Sequence, residues 1–420
     1  MSVREDAEAL LPEIVNLRHR IHEEPEIGLD LPATQEKVLA ALDGLGLEVT
    51  VGKSCSSVTA VLRGGMPTRA ERPVVLLRAD MDALPVQETS GVAFASHNPG
   101  VMHACGHDLH VAMLAGAAQL LAARREELAG DVVFMFQPGE EGWDGASLMI
   151  EDGVLKAAGR PVDVAYGMHV YSSAIPHGTF ATRPGVILSA SDALSVTVRG
   201  VGGHGSAPHK AKDPVQAAAE MVTALQVMVT RQFDMFDPVV ITVGHFTAGS
   251  KRNVIPETAY FEATVRTFSE ESREKMSAIL PQLLQGIATA HGVTAQVEYE
   301  SEYPMTVTDV AETERVEKWV RELFGEQALV RMPNPLSGSE DFSRVLAKVP
   351  GTYVCLGAVP LGDDYRTAAF NHSGTAVFDD DVLADGTALY AELALRRLAE
   401  LSADLDPVQV DRSDVRLQVG

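Results

Sequence analysis

Apolar residues recur at helical spacing near the start of the chain, where the first set comprises Leu10, Ile14, Leu17 and Ile21. With their start and stop signals, such patterns predict helices over residues 5–21, 34–45, 110–123 and 386–401. Short runs rich in β-forming residues predict strands over residues 58–62, 74–77 and 132–136. This alternation predicts an α/β sheet whose two faces are covered by helices.

The middle of the chain has a different order of elements. The sequence predicts strand 193–199, helix 214–230, strands 239–246 and 258–268, helix 270–290 and strand 295–300. The order βαββαβ is that of a ferredoxin-like module, complete in itself. We therefore expect an inserted lid domain over residues 190–302, and a catalytic domain divided into residues 1–189 and 303–420.

Composition narrows the classes of partner and compartment. At 420 residues and 46% hydrophobic content, the chain can build two domains with sizeable cores. Lys plus Arg number 34 and Asp plus Glu 58, so the net charge of 34 − 58 = −24 disfavours nucleic acid and anionic membranes as partners. The sequence contains no apolar run of about 18 residues, so it predicts no membrane span. Three widely spaced cysteines (Cys55, Cys105 and Cys355) do not suit a disulfide framework, and they favour a cytoplasmic protein.

A cysteine and a histidine lie just before the helix predicted at 110–123. Residues 103–108 read His-Ala-Cys-Gly-His-Asp and place Cys105 near a helix N-terminus, where the helix dipole favours a thiolate. A thiolate and the imidazole of His107 are suitable ligands for a transition metal. A small buried cysteine beside a hydrogen-bonded histidine explains this hexapeptide equally well when it is taken alone.

A pair of acids follows the strand predicted at 132–136. Residues 137–142 read Gln-Pro-Gly-Glu-Glu-Gly, in which proline and glycine allow the sharp turn that would direct Glu140 and Glu141. Adjacent carboxylates repel each other unless a cation lies between them. A metal ion could hold one glutamate as a ligand, while the other takes a proton from water that the ion has acidified. A solvated loop is the alternative for such a pair.

Two isolated histidines, His169 and His372, complete the set of candidate ligands. Either one alone could be an ordinary core histidine. Together with Cys105, His107 and Glu141 they provide five donors suited to divalent zinc, manganese, cobalt or nickel. Five protein donors suit two ions that share one of them.

Several segments, in order along nearly the whole chain, resemble those of one enzyme family. They are residues 17–26, 78–85, 103–108, 137–142, 203–209, 253–256, 339–342 and 371–372. In these segments the chain resembles the aminoacylase, hippurate hydrolase and indoleacetyl-amino-acid hydrolase family of co-catalytic metallopeptidases. The resemblance implies a metallopeptidase-type α/β/α catalytic domain carrying a ferredoxin-like lid.

The resemblance also implies roles for individual residues. Cys105 would bridge two metal ions, His107 and Glu141 would serve one ion, and His169 and His372 the other. Glu140 would be the general base. From the lid, His204 would hold the oxyanion, in its own subunit or in a partner subunit, and Asn253 would bind the amino-acid part of the substrate. An asparagine in an ordinary turn is the alternative for Asn253.

One position departs from the pattern of related metallopeptidases. Where they carry a metal-binding histidine, this chain has Asp80, and His107 would supply the missing ligand. Asp82 would then orient a ligand, or it would simply cap a loop. Glu340 lies in a matching segment, and its chemistry indicates no role.

Together, these residues and the resemblance predict an enzyme that hydrolyses N-acyl amino acids to a carboxylic acid and a free amino acid. The enzyme would bind two divalent metal ions and form a homodimer through the lid domain. A dipeptidase or carboxypeptidase on the same scaffold is the nearest alternative. A cysteine-nucleophile hydrolase would leave Glu140, Glu141, His169 and His372 unexplained. A non-catalytic metal-binding protein would have no need of Glu140.

Overall fold

The structure is a computed structural model that describes residues 2–67 and 71–405. The chain divides into two compact units. The first unit comprises Met1–Thr182, Ala311–Arg331 and Val349–Gly420, and the second comprises Arg183–Val310 and Met332–Lys348. The second unit therefore contains the module predicted at 190–302, begins and ends outside it, and includes a further segment from the second half of the chain.

The helices of the described residues are α1 Val3–Glu23, α2 Pro32–Leu42, α3 His107–Ala123, α4 Gly145–Glu151, α5 Pro214–Gln232, α6 Glu270–Ala290, α7 Val310–Phe324, α8 Ser343–Leu346 and α9 Val382–Leu405. None of them, within residues 2–67 and 71–405, has both the length and the hydropathy needed to cross a bilayer.

The strands of the same residues are β1 Glu48–Val51, β2 Val58–Leu62, β3 Val74–Asp80, β4 Asp131–Gln137, β5 Val164–Tyr171, β6 Phe180–Thr182, β7 Gly185–Leu188, β8 Ala190–Arg199, β9 Gly203–His204, β10 Val240–Ala248, β11 Val254–Ile255, β12 Thr258–Thr267, β13 Thr294–Tyr303, β14 Thr306–Thr308, β15 Leu329–Arg331 and β16 Gly351–Gly357.

The first unit is built on a mixed sheet of strand order β1-β2-β4-β3-β5-β16-β6-β15. Its central strands β4, β3, β5 and β16 run parallel. Every residue of β3, β4 and β16 is buried, as expected for parallel strands covered on both faces. Helix α3 packs on β3 and β5, and α1 and α9 pack against α3. The predicted α/β architecture is confirmed.

The parallel strands bring their carboxyl ends to one edge of this sheet. Asp80, the last residue of β3, pairs in register with Gln137, the last residue of β4. On the other side β3 pairs with β5, whose last residues include His169. Polar residues that directly follow these strands are therefore neighbours in space, which is where open α/β sheets bind ligands.

The second unit contains a four-stranded antiparallel sheet of order β10-β12-β8-β13. Burial alternates along β12, so one face of the sheet is covered and the other is exposed. Helices α5 and α6 pack on these strands and form a separate hydrophobic core with them. The elements follow the predicted order βαββαβ. A short additional ribbon, β9 paired with β11, lies outside this module.

Candidate metal centre

The start of α3 brings two donors to the carboxyl edge of the sheet. Cys105 is buried and precedes the helix, and His107 is the first helical residue. Gly106 between them has φ +86°, and a Cβ at this position would lie 2.4 Å from Cγ2 of Val170. Only glycine fits both the left-handed backbone and the close approach of β5. This tight turn places both side chains at the ends of the strands.

Cys105 lies at the centre of the cluster. Its Sγ is 3.3 Å from Nε2 of His169 and 3.3 Å from Nε2 of His372. Nε2 of His372 is in turn 3.2 Å from Oε1 of Glu141. One thiol therefore contacts donors from two separate segments of the chain, which is the arrangement that a shared ligand requires.

The other ring nitrogens fix the orientation of two histidines. Nδ1 of His107 donates to the carbonyl oxygen of Asp82 at 2.8 Å, and Nδ1 of His169 donates to the carbonyl oxygen of Val170 at 2.8 Å. In each ring Nε2 is thereby left to face the cluster. Histidines that bind metals are commonly held in this way.

One buried polar atom of the cluster, Nε2 of His107, lacks a hydrogen-bond partner. It lies 4.0 Å from Oε1 of Glu141. Buried polar atoms without a partner are rare, because leaving a hydrogen bond unmade costs about 1–3 kcal/mol. A cation between His107 and the Glu141 carboxylate would satisfy this nitrogen, so the residues fit a metal ion.

The donor atoms form two groups that share Cys105. Cys105, His107 and His169 make one group, and Cys105, Glu141 and His372 make the other, with donor atoms within 4.8 Å of one another in each. The resemblance implies a different pairing, in which His107 joins Glu141 and His169 joins His372. The donor atoms of His107 and Glu141 also lie together in one group with Glu140, so the pairing that the resemblance implies stays a prediction.

Asp82 holds the loop that carries both glutamates. Its Oδ1 accepts from the backbone N–H of Glu140 at 3.0 Å, and its Oδ2 accepts from that of Glu141 at 3.0 Å. The Asp82 carboxylate therefore caps this loop, and the backbone carbonyl oxygen of the same residue accepts from His107. The Glu140 side chain is 7% exposed, and its carboxylate is grouped with the donors of His107 and Glu141.

Asp80 belongs to a buried polar network. Arg78 donates to its Oδ2 at 2.6 Å, and His110 donates to its Oδ1 through Nδ1. Nε2 of His110 accepts from the backbone N–H of Val170 at 2.8 Å. Both nitrogens of His110 are therefore used, and its role is to position the strand end that carries His169.

Sequence reasoning missed His110 and Asn371. His110 is three residues after His107 on α3, and this spacing is a signal that could have revealed a shared helix face. Asn371 adjoins His372 in the chain, but its contacts are remote in sequence. Its side-chain amide donates to the carbonyl oxygens of Cys105 at 3.2 Å and Val170 at 3.0 Å.

The backbone of His372 is held in an unusual conformation. Its φ is +72°, in the left-handed region that residues other than glycine rarely occupy. Its N–H donates to the carbonyl oxygen of Ala104 at 2.8 Å, and the anchored side chain of Asn371 fixes the preceding residue. Together these bonds aim the imidazole at Cys105.

Charges within the cluster compensate one another. Hydrogen bonds to Cys105 and to Glu141 raise the pKa of His372 to about 10. Burial acts to raise the pKa of Glu141, but the hydrogen bond to His372 and the nearby His107 hold it below its usual value. Burial keeps the pKa of His169 well below its usual value. Metal ions must therefore displace a proton from His372, and their binding will depend on pH.

A buried ionic network supports α3 behind His107. Asp108 accepts from Arg18 Nε at 2.7 Å and from His22 Nδ1 at 2.8 Å, and Nε2 of His22 lies 3.2 Å from Glu88. Burial acts to lower the pKa of His22, but the Asp108 and Glu88 carboxylates raise it to about 9. These bonds join α1 to the helix that carries His107.

The second unit brings together the two remaining predicted site residues. Pairing of β9 with β11 sets His204 opposite Val254, and the N–H of Gly205 donates to the carbonyl oxygen of Asn253 at 2.9 Å. His204 and Asn253 are both exposed. Glu340, which had no assigned role, is buried in this unit.

Comparison with known proteins agrees with this geometry. Residues 76–396 match the family model Peptidase family M20/M25/M40. The chain is 38% identical over 399 residues to Thermostable carboxypeptidase 2 of Saccharolobus solfataricus, with 94% of this chain and 98% of that protein covered. It is 35% identical over 399 residues to Hippurate hydrolase of Campylobacter jejuni, with 93% and 99% covered.

A solved structure is similar over the same length. It is that of the Bacillus subtilis YXEP protein, described as a dinuclear metal binding peptidase from the M20 family. The TM-score is 0.78 at 30% identity, and the match covers 93% of this chain and 99% of that chain.

Proposed function

The chain belongs to peptidase family M20/M25/M40, as a hydrolase that acts on amide bonds, and from that premise we propose that it cleaves N-acyl amino acids to a carboxylic acid and a free amino acid. One observation carries the proposal. Around the shared Cys105, the buried Nε2 of His107 lacks a hydrogen-bond partner, and the carboxylates of Glu140 and Glu141 lie beside it. The name of the Campylobacter relative supports the choice of substrate class.

Two divalent ions would be held by Cys105, His107, Glu141, His169 and His372, with Cys105 shared between them. The family resemblance assigns His107 and Glu141 to one ion and His169 and His372 to the other. Thiolate and imidazole donors with one carboxylate suit zinc, manganese, cobalt or nickel. When bound, the ions supply Lewis acidity that polarises the scissile carbonyl and acidifies the attacking water.

Glu140 moves the proton. Its buried carboxylate accepts a proton as water attacks the carbonyl carbon, and it delivers that proton to the nitrogen of the leaving amino acid. Asp82 keeps the carboxylate in place through its bonds to the backbone of both glutamates. A buried base held by a rigid loop needs little rearrangement to reach the transition state.

Residues of the second unit would complete the reaction, and this part of the proposal rests on the family resemblance. Nδ1 of His204 lies 2.8 Å from the hydroxyl oxygen of Ser206, which leaves Nε2 to donate to the oxyanion. Asn253, adjoining the same ribbon, would bind the carboxylate of the amino acid. Loss of an oxyanion donor typically lowers kcat by about 10²- to 10³-fold.

Glu140→Gln tests the base directly. The variant should bind both metals, because neither donor group needs Glu140, and its turnover should fall by about 10²- to 10⁴-fold. Glu151→Gln, an exposed glutamate in the nearby helix α4, is the matched control and should leave both properties unchanged. Undiminished hydrolysis by Glu140→Gln would remove it as the base.

A carboxypeptidase is the second candidate, because the chain is 38% identical to a relative of that name. A panel of N-acyl amino acids, including N-benzoylglycine, should be assayed beside dipeptides and blocked peptides. The enzyme should be stripped of metal and reloaded with each of the four ions. Faster cleavage of peptides than of N-acyl amino acids would favour the carboxypeptidase. Activity that resists chelation would instead support a cysteine nucleophile at Cys105.

We also propose a homodimer through the second unit, in a reducing cytoplasm. The edge strand β10 is exposed along most of its length and carries Val240 and Phe246 with their side chains in solvent. Such an edge commonly pairs with another chain. Cys55, Cys105 and Cys355 are all free thiols, which a reducing compartment preserves. Light scattering at two concentrations would test the dimer, and a monomer at both would exclude it.

A further inference from the structure

The end of helix α1 carries two polar side chains that the proposed chemistry does not use. They are Arg18 and His22, and both belong to residues 17–26, one of the segments in which the chain resembles its family. Arg18 is 1% exposed and His22 is 2% exposed. A side chain such as that of arginine is almost never buried so completely unless it is paired with an opposite charge. The partners of these two residues therefore indicate what α1 does.

Arg18 joins carboxylates from two distant segments of the chain. Its Nε donates to Oδ2 of Asp108 at 2.7 Å, and its Nη1 donates to Oδ1 of Asp380 at 2.9 Å. Asp108 directly follows the candidate ligand His107 on α3. Asp380 follows the candidate ligand His372 and precedes α9. One planar guanidinium, whose donors have a fixed geometry, thus ties together the two segments that supply these ligands.

His22 makes a second link from the same helix. Its Nδ1 donates to Oδ2 of Asp108 at 2.8 Å, and its Nε2 lies 3.2 Å from Oε1 of Glu88. Burial acts to raise the pKa of Asp108, but Arg18 and His22 hold it far below its usual value. The shared carboxylate is therefore ionised, and two cationic groups from α1 converge on it.

The loop that contains Glu88 continues this link to the segment of His372. The next residue, Thr89, donates its N–H at 2.7 Å and its hydroxyl at 3.2 Å to the carbonyl oxygen of Gly374. A Cβ at Gly374 would lie 2.4 Å from the carbonyl oxygen of Gln87, so the two segments are in close contact. The segment that carries His372 is therefore held by α1 at two points, directly at residue 380 and through this loop at residue 374.

We propose that Arg18 and His22 are positioning residues, which fix the distance between α3 and the segment of His372. That distance decides whether His107 and His372 both reach Cys105. The inference rests on the proposed function, because it concerns the metal centre on which that function depends, and it adds that the centre depends on a helix that supplies none of its five candidate ligands. Altering residues that hold ligands in place typically lowers metal affinity by about 10- to 100-fold.

Arg18→Lys tests the link with a conservative change. Lysine keeps the positive charge, but its single ammonium cannot reproduce the bonds that Nε and Nη1 make to two carboxylates. Zinc affinity, measured by competition with a chelator, should fall by about 10- to 100-fold. The visible spectrum of the cobalt-loaded protein should change as well, because the ligands are no longer held in the same geometry.

Arg397→Lys is the matched control within the first unit. Arg397 is also buried, and it donates to both oxygens of Glu312 at 2.8 and 3.1 Å, which joins α9 to α7. Neither of these helices carries a candidate ligand. The control should lose stability as Arg18→Lys does, yet keep the zinc affinity and the cobalt spectrum of the wild type. Unchanged zinc affinity in Arg18→Lys, or an equal loss in Arg397→Lys, would overturn the inference.

Hydrogen exchange in the metal-free protein separates this inference from the proposed function. Amide exchange over residues 370–378, followed by mass spectrometry, should be faster in Arg18→Lys than in the wild type and unchanged in Arg397→Lys. The comparison needs neither metal nor substrate, so it holds even if the wild type cleaves no N-acyl amino acid. Exchange at the wild-type rate in Arg18→Lys would show that α1 does not hold this segment.

A milder variant serves if Arg18→Lys does not fold. The side chain of Asp380 is 26% exposed, and its two oxygens accept from Arg18 and pair with Nε2 of His19. Asparagine offers one oxygen for these two partners, so Asp380→Asn should weaken zinc binding and speed the same exchange. Wild-type zinc affinity and exchange in Asp380→Asn would overturn the inference.

Discussion

Replacing Asp82 with asparagine should separate the positioning of the glutamates from the orientation of the histidine. The two Asp82 oxygens each accept one backbone N–H, from Glu140 and from Glu141, at 3.0 Å. An asparagine side chain offers one oxygen and turns an NH2 group towards the other N–H. His107 should keep its orientation, because it donates to the carbonyl oxygen of residue 82, which the change leaves intact.

The size of the effect follows from the bond that is lost. A hydrogen bond to a charged acceptor contributes about 1.5–3 kcal/mol, and the buried N–H left facing NH2 keeps its desolvation cost. If about 2–3 kcal/mol appears as poorer positioning of Glu140, kcat/KM should fall by roughly 30- to 150-fold. The free energy of unfolding should fall by a similar amount.

The assay is hydrolysis of N-benzoylglycine by metal-loaded enzyme, measured together with urea denaturation and metal content. Asp213→Asn is the matched control, because Asp213 caps α5 through a single bond to the N–H of Val215 and asparagine can keep that bond. The reasoning is refuted if Asp82→Asn keeps wild-type activity and stability, or if the control loses as much as the test variant.

Three further predictions concern the metals, the buried network and pH. Cys105→Ser should reduce bound zinc to one ion per chain or fewer, because both donor groups use Cys105. Elemental analysis measures the bound zinc, and two retained ions would contradict a shared ligand. His110→Leu leaves the N–H of Val170 without its acceptor and should lower the free energy of unfolding by about 1–3 kcal/mol. It should also alter the visible spectrum of the cobalt-loaded enzyme. An unchanged spectrum would show that His110 has no positioning role. Because the folded pKa of His22 is about 9 against an ordinary 6.5, its stabilisation is complete below pH 6.5 and is lost as pH rises to 9, which amounts to about 3 kcal/mol at most. Urea denaturation across this range should show that loss, and His22→Gln should flatten it; the same slope in the variant would assign the effect elsewhere.

Periodicity predicted the elements well and their ends less well. Helix α1 begins at Val3 rather than at residue 5, because Ser2 and Glu5 form a capping box whose Ser-x-x-Glu signal is present in the sequence. The four strands of the ferredoxin-like module were all predicted, since each alternates or is strongly apolar over its length. The sequence did not predict the extension of the second unit to residues 332–348, because that depends on contacts between distant segments.

The candidate ligands could be named from the sequence, but their arrangement could not. Residue type and the family resemblance were enough to select Cys105 and Glu141. The pairing of donors depends on distances between segments, such as Cys105 and His372, which are 267 residues apart. The hydrogen bonds from the backbone of Glu140 and Glu141 to Asp82 span 58 and 59 residues, so local sequence patterns could not predict them either.

The left-handed backbone of His372 sets a conformational cost against the bonds of its side chain. A residue other than glycine held at φ +72° costs about 1 kcal/mol or more. In the metal-free protein the imidazole offsets that cost through its contacts with Cys105 and Glu141, so His372→Gly should change the free energy of unfolding little while depriving the enzyme of a ligand. The glycine variant would also leave a space of imidazole size, in which imidazole from solution could restore activity.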